Sequence, residues 1–292
     1  DVSSQFVTGM LYALPLLPGD STLTVTPPVE SAGYIRMTLQ CLADSGIRLE
    51  ETGPYAWRTI RNTLVISIYT ILVTFPLPIL IALMCNQMYA KRFKKFFQVS
   101  TYLPHFISTV VMCGMITQFL DARSGLINVL LRYVGVQPRN WMTYPEYFRH
   151  IYVWSGVWQG LGYSSIIYIA ALSGVSPELH EAAIVDGANI FQRMWNVDIP
   201  SVLPTFCILL IMRCGSIMSV GFEKVLLLQN NLNKSASEII STFTYNIGLN
   251  SSGAMPQYSY GAAIGLFTSL VNMVLLLVVN TVTKKLSGSG LW

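Results

Sequence analysis

The sequence predicts an all-α fold, a polytopic membrane helical bundle. Of its 292 residues 52% are hydrophobic and only 11% charged, against about 25% charged in ordinary soluble domains. Mean hydropathy is +0.51. The apolar residues gather in charge-poor stretches of roughly 20, enough for a helix rising 1.5 Å per residue to cross a hydrocarbon core about 30 Å thick.

Residues 1–60 are expected to form an outer N-terminal segment, distinct from the transmembrane domain of residues 61–292. The apolar run 6–17 is too short to span and ends at Pro18-Gly19. Residues 32–49 carry apolar side chains at helical spacing and are expected to form a short helix on the membrane surface. No positively charged leader precedes them, so no signal peptide is visible. Either an N-terminal segment has been removed, or residues 6–17 are the outer remnant of a span that began upstream.

Five spans follow, over residues 63–84, 99–120, 151–172, 201–222 and 262–283. The first holds Pro76-Leu77-Pro78, which would kink it, and the fourth is interrupted by Arg213. Orientation comes from Lys91-Arg92-Phe93-Lys94-Lys95 and Lys284-Lys285, because positive loops stay cytoplasmic. Residues 85–98, 173–200 and 284–292 are then inside, with 121–150 and 223–261 outside. Arg58 and Arg61 stand against this rule, at the outer end of the first span. In the outer loops, Trp141, Tyr144, Tyr147 and Phe148 suit an interfacial belt, and residues 235–245 are helix-compatible.

Several functions find no support. Cys41, Cys85, Cys113, Cys207 and Cys214 show no paired spacing for a disulfide framework or a metal site. The net charge of +4 is explained by the cytoplasmic lysines and calls for no nucleic acid. There is no GxxxxGK[ST] phosphate loop, no GxSxG and no HExxH, so neither nucleotide hydrolysis nor catalysis has residues to stand on.

Between Pro177 and Pro200 the chain reads PELHEAAIVDGANIFQRMWNVDIP, a polar stretch set between apolar runs. Ser176 suits an N-cap, Pro177 the first helical position, and Glu178 the positive end of the helix. Gly187 is ill suited to continue a helix. The expectation is two short helices joined near 187–189, with Pro200 closing the second. Small residues at 182, 183 and 188 would let a partner surface approach closely.

Glu181-Ala182-Ala183, a three-residue gap, Gly187, nine residues, then Val197-Asp198-Ile199-Pro200 resemble the EAA loop of binding-protein-dependent ABC transporter permeases. Residues 102–108 (YLPHFIS), Gly221-Phe222-Glu223-Lys224 and the ending Gly290-Leu291-Trp292 resemble the carbohydrate-uptake branch, and within it the oligo- and polysaccharide group that includes alginate-type importers. The resemblance begins near Tyr55, and family members usually have six spans.

This resemblance implies a multi-pass subunit of the bacterial cytoplasmic membrane. It implies a second related permease as partner, in a heterodimer, with two ATPase subunits carrying ATP and Mg, and an outer solute-binding protein delivering carbohydrate. No cofactor would sit in this chain. Glu181, Ala182, Ala183, Asp186, Gly187, Ala188 and Pro200 would couple it to the ATPase.

Candidates for the substrate path come from the residues themselves. An arginine at mid-span costs roughly 2.5–3.5 kcal/mol on insertion scales, so Arg213 should face a cavity or a partner. It could bind sugar hydroxyls or a uronate carboxylate, or be a structural pin. Tyr69, Tyr163, Tyr168 and Phe222 could stack on sugar rings or simply pack, and Glu223 closes the set. The rivals are an ion-coupled secondary transporter of a polar solute and a membrane-embedded enzyme.

Overall fold

A computed structural model describes residues 4–14, 23, 32–45, 55–249, 257–288 and 290–291. Among them there is no strand, and contacts divide the chain into Asp1–Ala56 and Trp57–Trp292. In the first unit α1 (Ser4–Ala13) packs on α2 (Ala32–Asp44). The helix expected over 32–49 ends at Asp44, and positions 46–49 lie outside the described residues.

The second unit begins with one apolar span, Trp57–Gln87, made of α3 (Tyr55–Thr74) and α4 (Pro76–Gln87). Pro76 takes the first turn of α4, where an amide would be unpaired anyway. Phe75 still donates to the Ile71 carbonyl at 3.1 Å, so the prolines restart the helix without ending the span.

The second span departs from expectation. Residues 99–120 are not one straight helix: α5 (Lys91–Tyr102) runs through a tight turn at Leu103–Phe106 and meets α6 (Thr109–Phe119) at a 96° bend. Pro104 cannot donate to a continuing helix. Ser108 then caps the next one, its hydroxyl accepting the Val111 amide at 3.3 Å. The Ile107 carbonyl, freed at the bend, accepts from Gln159 Nε2 at 2.8 Å. That replacement bond is what membrane depth demands of an interrupted backbone.

After α7 (Leu126–Tyr133), the 29-residue α8 (Pro145–Ser173) contains the expected third span and is the pillar of the fold. Its outer half joins α3, α6 and α12 (Phe222–Leu228) around Ile66, Met112, Phe148, Val153 and Val225. Its inner half joins α4 and α11 (Ile199–Cys214) around Ala82, Leu83, Tyr168, Leu172 and Val202. By length and apolarity, Trp57–Gln87, Ile190–Cys214 and Tyr258–Lys285 can each cross a membrane, and the bent pair is a fourth crossing if it is one broken span rather than a re-entrant loop. At about 43 Å, α8 has the length of a fifth.

Two corrections concern the fourth span. Pro200 closes nothing, because α10 (Ile190–Arg193) passes through a wide turn at Met194–Asp198 directly into α11. In the wide turn the Ile199 amide reaches back to the Met194 carbonyl, and Pro200 falls in the first turn of α11 that follows. At the other end α11 stops at Cys214, short of residue 222. Gly215 lies against the Leu276 side chain of α15 (Tyr258–Ser287), with no room for a Cβ. Arg213 is therefore not at mid-span. It is exposed in the last turn of α11, where a cation faces the negative end of the helix.

The helix expected over 235–245 is two, α13 (Lys234–Ser237) and α14 (Ile240–Gly248), broken at Glu238 and Ile239. The break serves the outer end of the first span. Arg58 Nη2 reaches Glu238 Oε2 at 3.2 Å, and Asn62 Nδ2 donates to the Ser235 and Glu238 carbonyls at 2.9 and 3.2 Å. The Thr63 hydroxyl accepts the Ile240 amide at 3.0 Å. Arg58, awkward for orientation by charge, is thus neutralised within the outer layer. At the far end of the same span, Asn86 and Gln87 bond Asp198 at 3.3 and 3.1 Å. The fold joins ends that the charge pattern assigns to the same side.

Candidate functional site

The inner hairpin consists of α9 (Pro177–Val185), the turn 186–189, and α10 running on into α11. Ser176 caps α9, its hydroxyl accepting the Glu178 amide at 3.3 Å. The other end is a Schellman motif. The Gly187 amide bonds the Ile184 carbonyl at 3.0 Å and the Ala188 amide the Ala183 carbonyl at 2.9 Å, with Gly187 at φ +77. Asn189 and Gln192 then cap α10 reciprocally, at 2.8 and 2.9 Å. Both ends of the turn are fixed by local bonds, so the hairpin has one shape.

Nothing on α9 is buried. Glu181, Ala182, Asp186, Gly187 and Pro200 are exposed, and Ala183 and Ala188 half-buried. Beside them stand apolar side chains that sequence reasoning passed over: Leu179, Ile184, Val185, Phe191 and Trp195, from 54% to 87% exposed. Helical spacing could have found them, since 184–185 and 191–195 straddle the turn. Phe191 and Trp195 belong to the apolar helix Ile190–Cys214, where lipid can account for their exposure, whereas Leu179, Ile184 and Val185 lie outside every candidate span, and an exposed apolar group of that kind suits a partner surface.

A second feature is a cleft of about 530 Å³ walled by α14, α15 and the segment before α12. Ser219, Ser241, Thr244, Tyr245, Thr268 and Ser269 line it, the hydroxyls of Thr244, Thr268 and Ser269 donating to carbonyls of their own helices and keeping lone pairs free to accept. Phe222 lines it as well, its ring 5.3 Å from that of Tyr245. Hydroxyls beside aromatic faces suit a ligand that is polar at its edges and apolar on its ring faces.

The sequence-derived path residues do not converge there. Of Arg213, Tyr163, Tyr168, Phe222 and Glu223, only Phe222 lines the cleft. Tyr168 is 3% exposed in the inner core. Tyr163 stacks on His105 at 3.8 Å with rings 3° from parallel, which fastens α8 to the bend after α5. Tyr69 accepts from Trp154 Nε1 at 3.2 Å and bonds His150 Nδ1 at 2.9 Å. Glu223 is exposed, while its neighbour Lys224 is buried with Nζ donating to the Tyr152 carbonyl at 2.6 Å.

A family model described as "Binding-protein-dependent transport system inner membrane component" matches residues 58–288. The polygalacturonan/rhamnogalacturonan transport system permease protein YteP of Bacillus subtilis (strain 168) is 36% identical over 241 residues, covering 82% of this chain and 74% of that protein. A chain of a bacterial alginate ABC transporter, solved with an alginate pentasaccharide-bound periplasmic protein, superposes with TM-score 0.79 at 34% identity, covering 90% of this chain and 91% of that one. A chain of a bacterial ABC transporter that imports the acidic polysaccharide alginate gives TM-score 0.76 at 33% identity, covering 97% and 89%.

Proposed function

Since the chain belongs to the family of binding-protein-dependent transport system inner membrane components, we propose that it carries an acidic oligosaccharide across the bacterial cytoplasmic membrane, driven by separate ATPase subunits that grip its inner hairpin. The chain is a permease subunit of a carbohydrate ABC importer. Family membership displaces the ion-coupled transporter and the membrane enzyme. What this reading adds is the coupling site, the subunit set and the charge of the cargo.

One observation carries the coupling site: Leu179, Ile184 and Val185 exposed on a hairpin helix that lies outside every candidate span, beside Glu181 and Asp186. A helix with small residues at 182 and 183 and apolar residues around them is shaped to lie in a groove of another protein. Nucleotide-driven closure of two ATPases would then move the hairpins and open the path outward, and hydrolysis would reset it. ATP and Mg belong to those ATPases. The other partners are a second, related permease and a solute-binding protein. The cleft's hydroxyls and Phe222 support carbohydrate, and uronate-rich cargo in the similar transporters supports an acidic one. Arg213 remains the candidate for its carboxylate, and Tyr163 and Glu223, both exposed, are separate candidates elsewhere along the path.

The test is co-purification with the ATPase subunits, together with ATP-dependent uptake of labelled oligogalacturonate into proteoliposomes containing the full set of subunits. Glu181→Lys and Phe191→Asp should each release the ATPase and abolish uptake while membrane insertion persists. Firm ATPase binding and native uptake in both variants would overturn the coupling reading. Uptake of neutral oligosaccharides alone would overturn the acidic cargo.

A further inference from the structure

Asp198 stands in the variable place between the two apolar residues of the pattern, and the structure gives it unusual surroundings. It is completely buried, at the junction of the wide turn and α11. Its two carboxylate oxygens are met from two other elements. Asn86 Nδ2 lies 3.3 Å from Oδ1 and Gln87 Nε2 3.1 Å from Oδ2, both from the last turn of α4. His180 Nε2, from the middle of α9, lies 3.4 Å from Oδ1, an ion pair when the imidazole is protonated. One carboxylate therefore ties the inner end of the first span, the hairpin helix and the start of the fourth span.

Packing alone does not make this connection. No residue of α9 is buried, so apolar contact holds the hairpin helix only weakly to the rest of the chain. A buried carboxylate is costly to leave short of partners, so its bonds resist separation of the elements that supply them. The wide turn at 194–198 is the compliant part of the same junction, since π-type turns interrupt regular helix bonding.

We propose that Asp198 is the positioning residue that transmits motion of the hairpin to the membrane spans: displacement of α9 pulls on the carboxylate through His180, and the carboxylate draws the ends of α4 and α11 with it. This rests on the hairpin being the ATPase contact. Without the tie, the hairpin would swing on the wide turn and ATP-driven closure would be absorbed there.

The test uses the full transporter in nanodiscs, with nitroxide labels at Leu80 on α4 and Val185 on α9, both exposed. With Asp198 present, the label distance is one narrow population with and without Mg-ATP, because the two helices move as one body. Asp198→Ala should broaden it and make it shift with nucleotide while ATP hydrolysis continues. His180→Ala removes the partner on α9, and the double variant Asn86→Ala/Gln87→Ala removes both partners on α4. Either should by itself break the tie, so that their combined effect is non-additive and equal to that of Asp198→Ala, which a generally loosened structure would not produce. These variants decide the matter by the same criteria if Asp198→Ala does not assemble. A narrow, nucleotide-independent distance in the variants, or additive effects of His180→Ala and Asn86→Ala/Gln87→Ala, overturns the proposal. Glu181→Lys separates the two claims: ATPase release with a narrow label distance is expected, whereas full retention of the ATPase defeats the coupling reading whatever the labels report.

Discussion

Replacing Gly187 by alanine asks whether the fixed shape of the inner hairpin is what an ATPase subunit recognises. Nothing lies within 4 Å of the position a Cβ would take, so packing inside the chain contributes no penalty. What remains is backbone conformation. Gly187 sits at φ +77, and an L-residue with a Cβ is disfavoured in the left-handed region by about 1–2 kcal/mol. The turn closes through the Ile184 and Ala183 carbonyls, so relaxing φ breaks both bonds and changes the angle between α9 and α10. If the ATPase binds only the native angle, that strain is subtracted from docking. At 1.4 kcal/mol per tenfold it weakens the complex about 5- to 30-fold. Asparagine tolerates the left-handed region better, so the dissociation constants should rank glycine, asparagine, alanine from tightest to weakest. The assay titrates ATPase subunits onto nanodisc-embedded permease. Alanine binding as tightly as glycine would refute the reasoning. Asparagine binding more weakly than alanine would also refute it, by showing a clash with the partner in place of backbone strain.

Other positions yield equally specific outcomes. Gly162 presses on the Thr101 backbone where α5 meets α8, so Gly162→Ala should force the helices apart and cost about 1–3 kcal/mol or more, seen as a lower melting temperature in detergent. Asn128 is buried, accepts from Trp141 Nε1 at 3.0 Å and donates to the Asp121 and Arg139 carbonyls at 2.7 and 2.9 Å. Asn128→Ala should therefore open residues 121–141 to limited proteolysis while the spans stay folded. The Asp121 carboxyl is held below its usual range by the Ser124 and Arg123 amides, so its contribution is present above the unfolded value near 4 and lost as pH falls through the depressed one. Measured against the intrinsic exchange rate at each pH, protection of those two amides should fall over that acid window, and Asp121→Asn should remove the dependence.

How much could be read from the chain varied with the range of the interaction. The Ser176 cap, Pro177 at the helix start and the joint at Gly187 follow from local backbone rules, and the structure places all three accordingly. The exposed apolar residues of the hairpin were legible by spacing but hidden by a motif that directed attention to Glu181 and Gly187. The bend at 106–108 was passed over because 99–120 carries no Asp, Glu, Lys or Arg, although Pro104 and Ser108 are local signals of a break; that Gln159, some fifty positions on, satisfies the freed carbonyl was not legible. Tyr168 and Tyr163 look alike in sequence. Which one packs in the core and which one faces outward depends on which side of α8 meets α4 and α11.

Composition and hydropathy by themselves determined that this is a helical membrane protein, because transfer into lipid depends on each segment's own side chains, and the charge of residues 91–95 gave the expectation of which loops lie inside. The spacing from Glu181 to Pro200 identified the hairpin for the same reason: its caps and turn are made by neighbours in sequence. Only the tertiary structure decided that the fourth span ends at Cys214, that Arg58 is neutralised by Glu238, and that Asp198 gathers Asn86, Gln87 and His180. Those facts depend on groups many residues apart in the chain meeting across packed helices, where a buried polar atom must find a partner and the fold alone settles which.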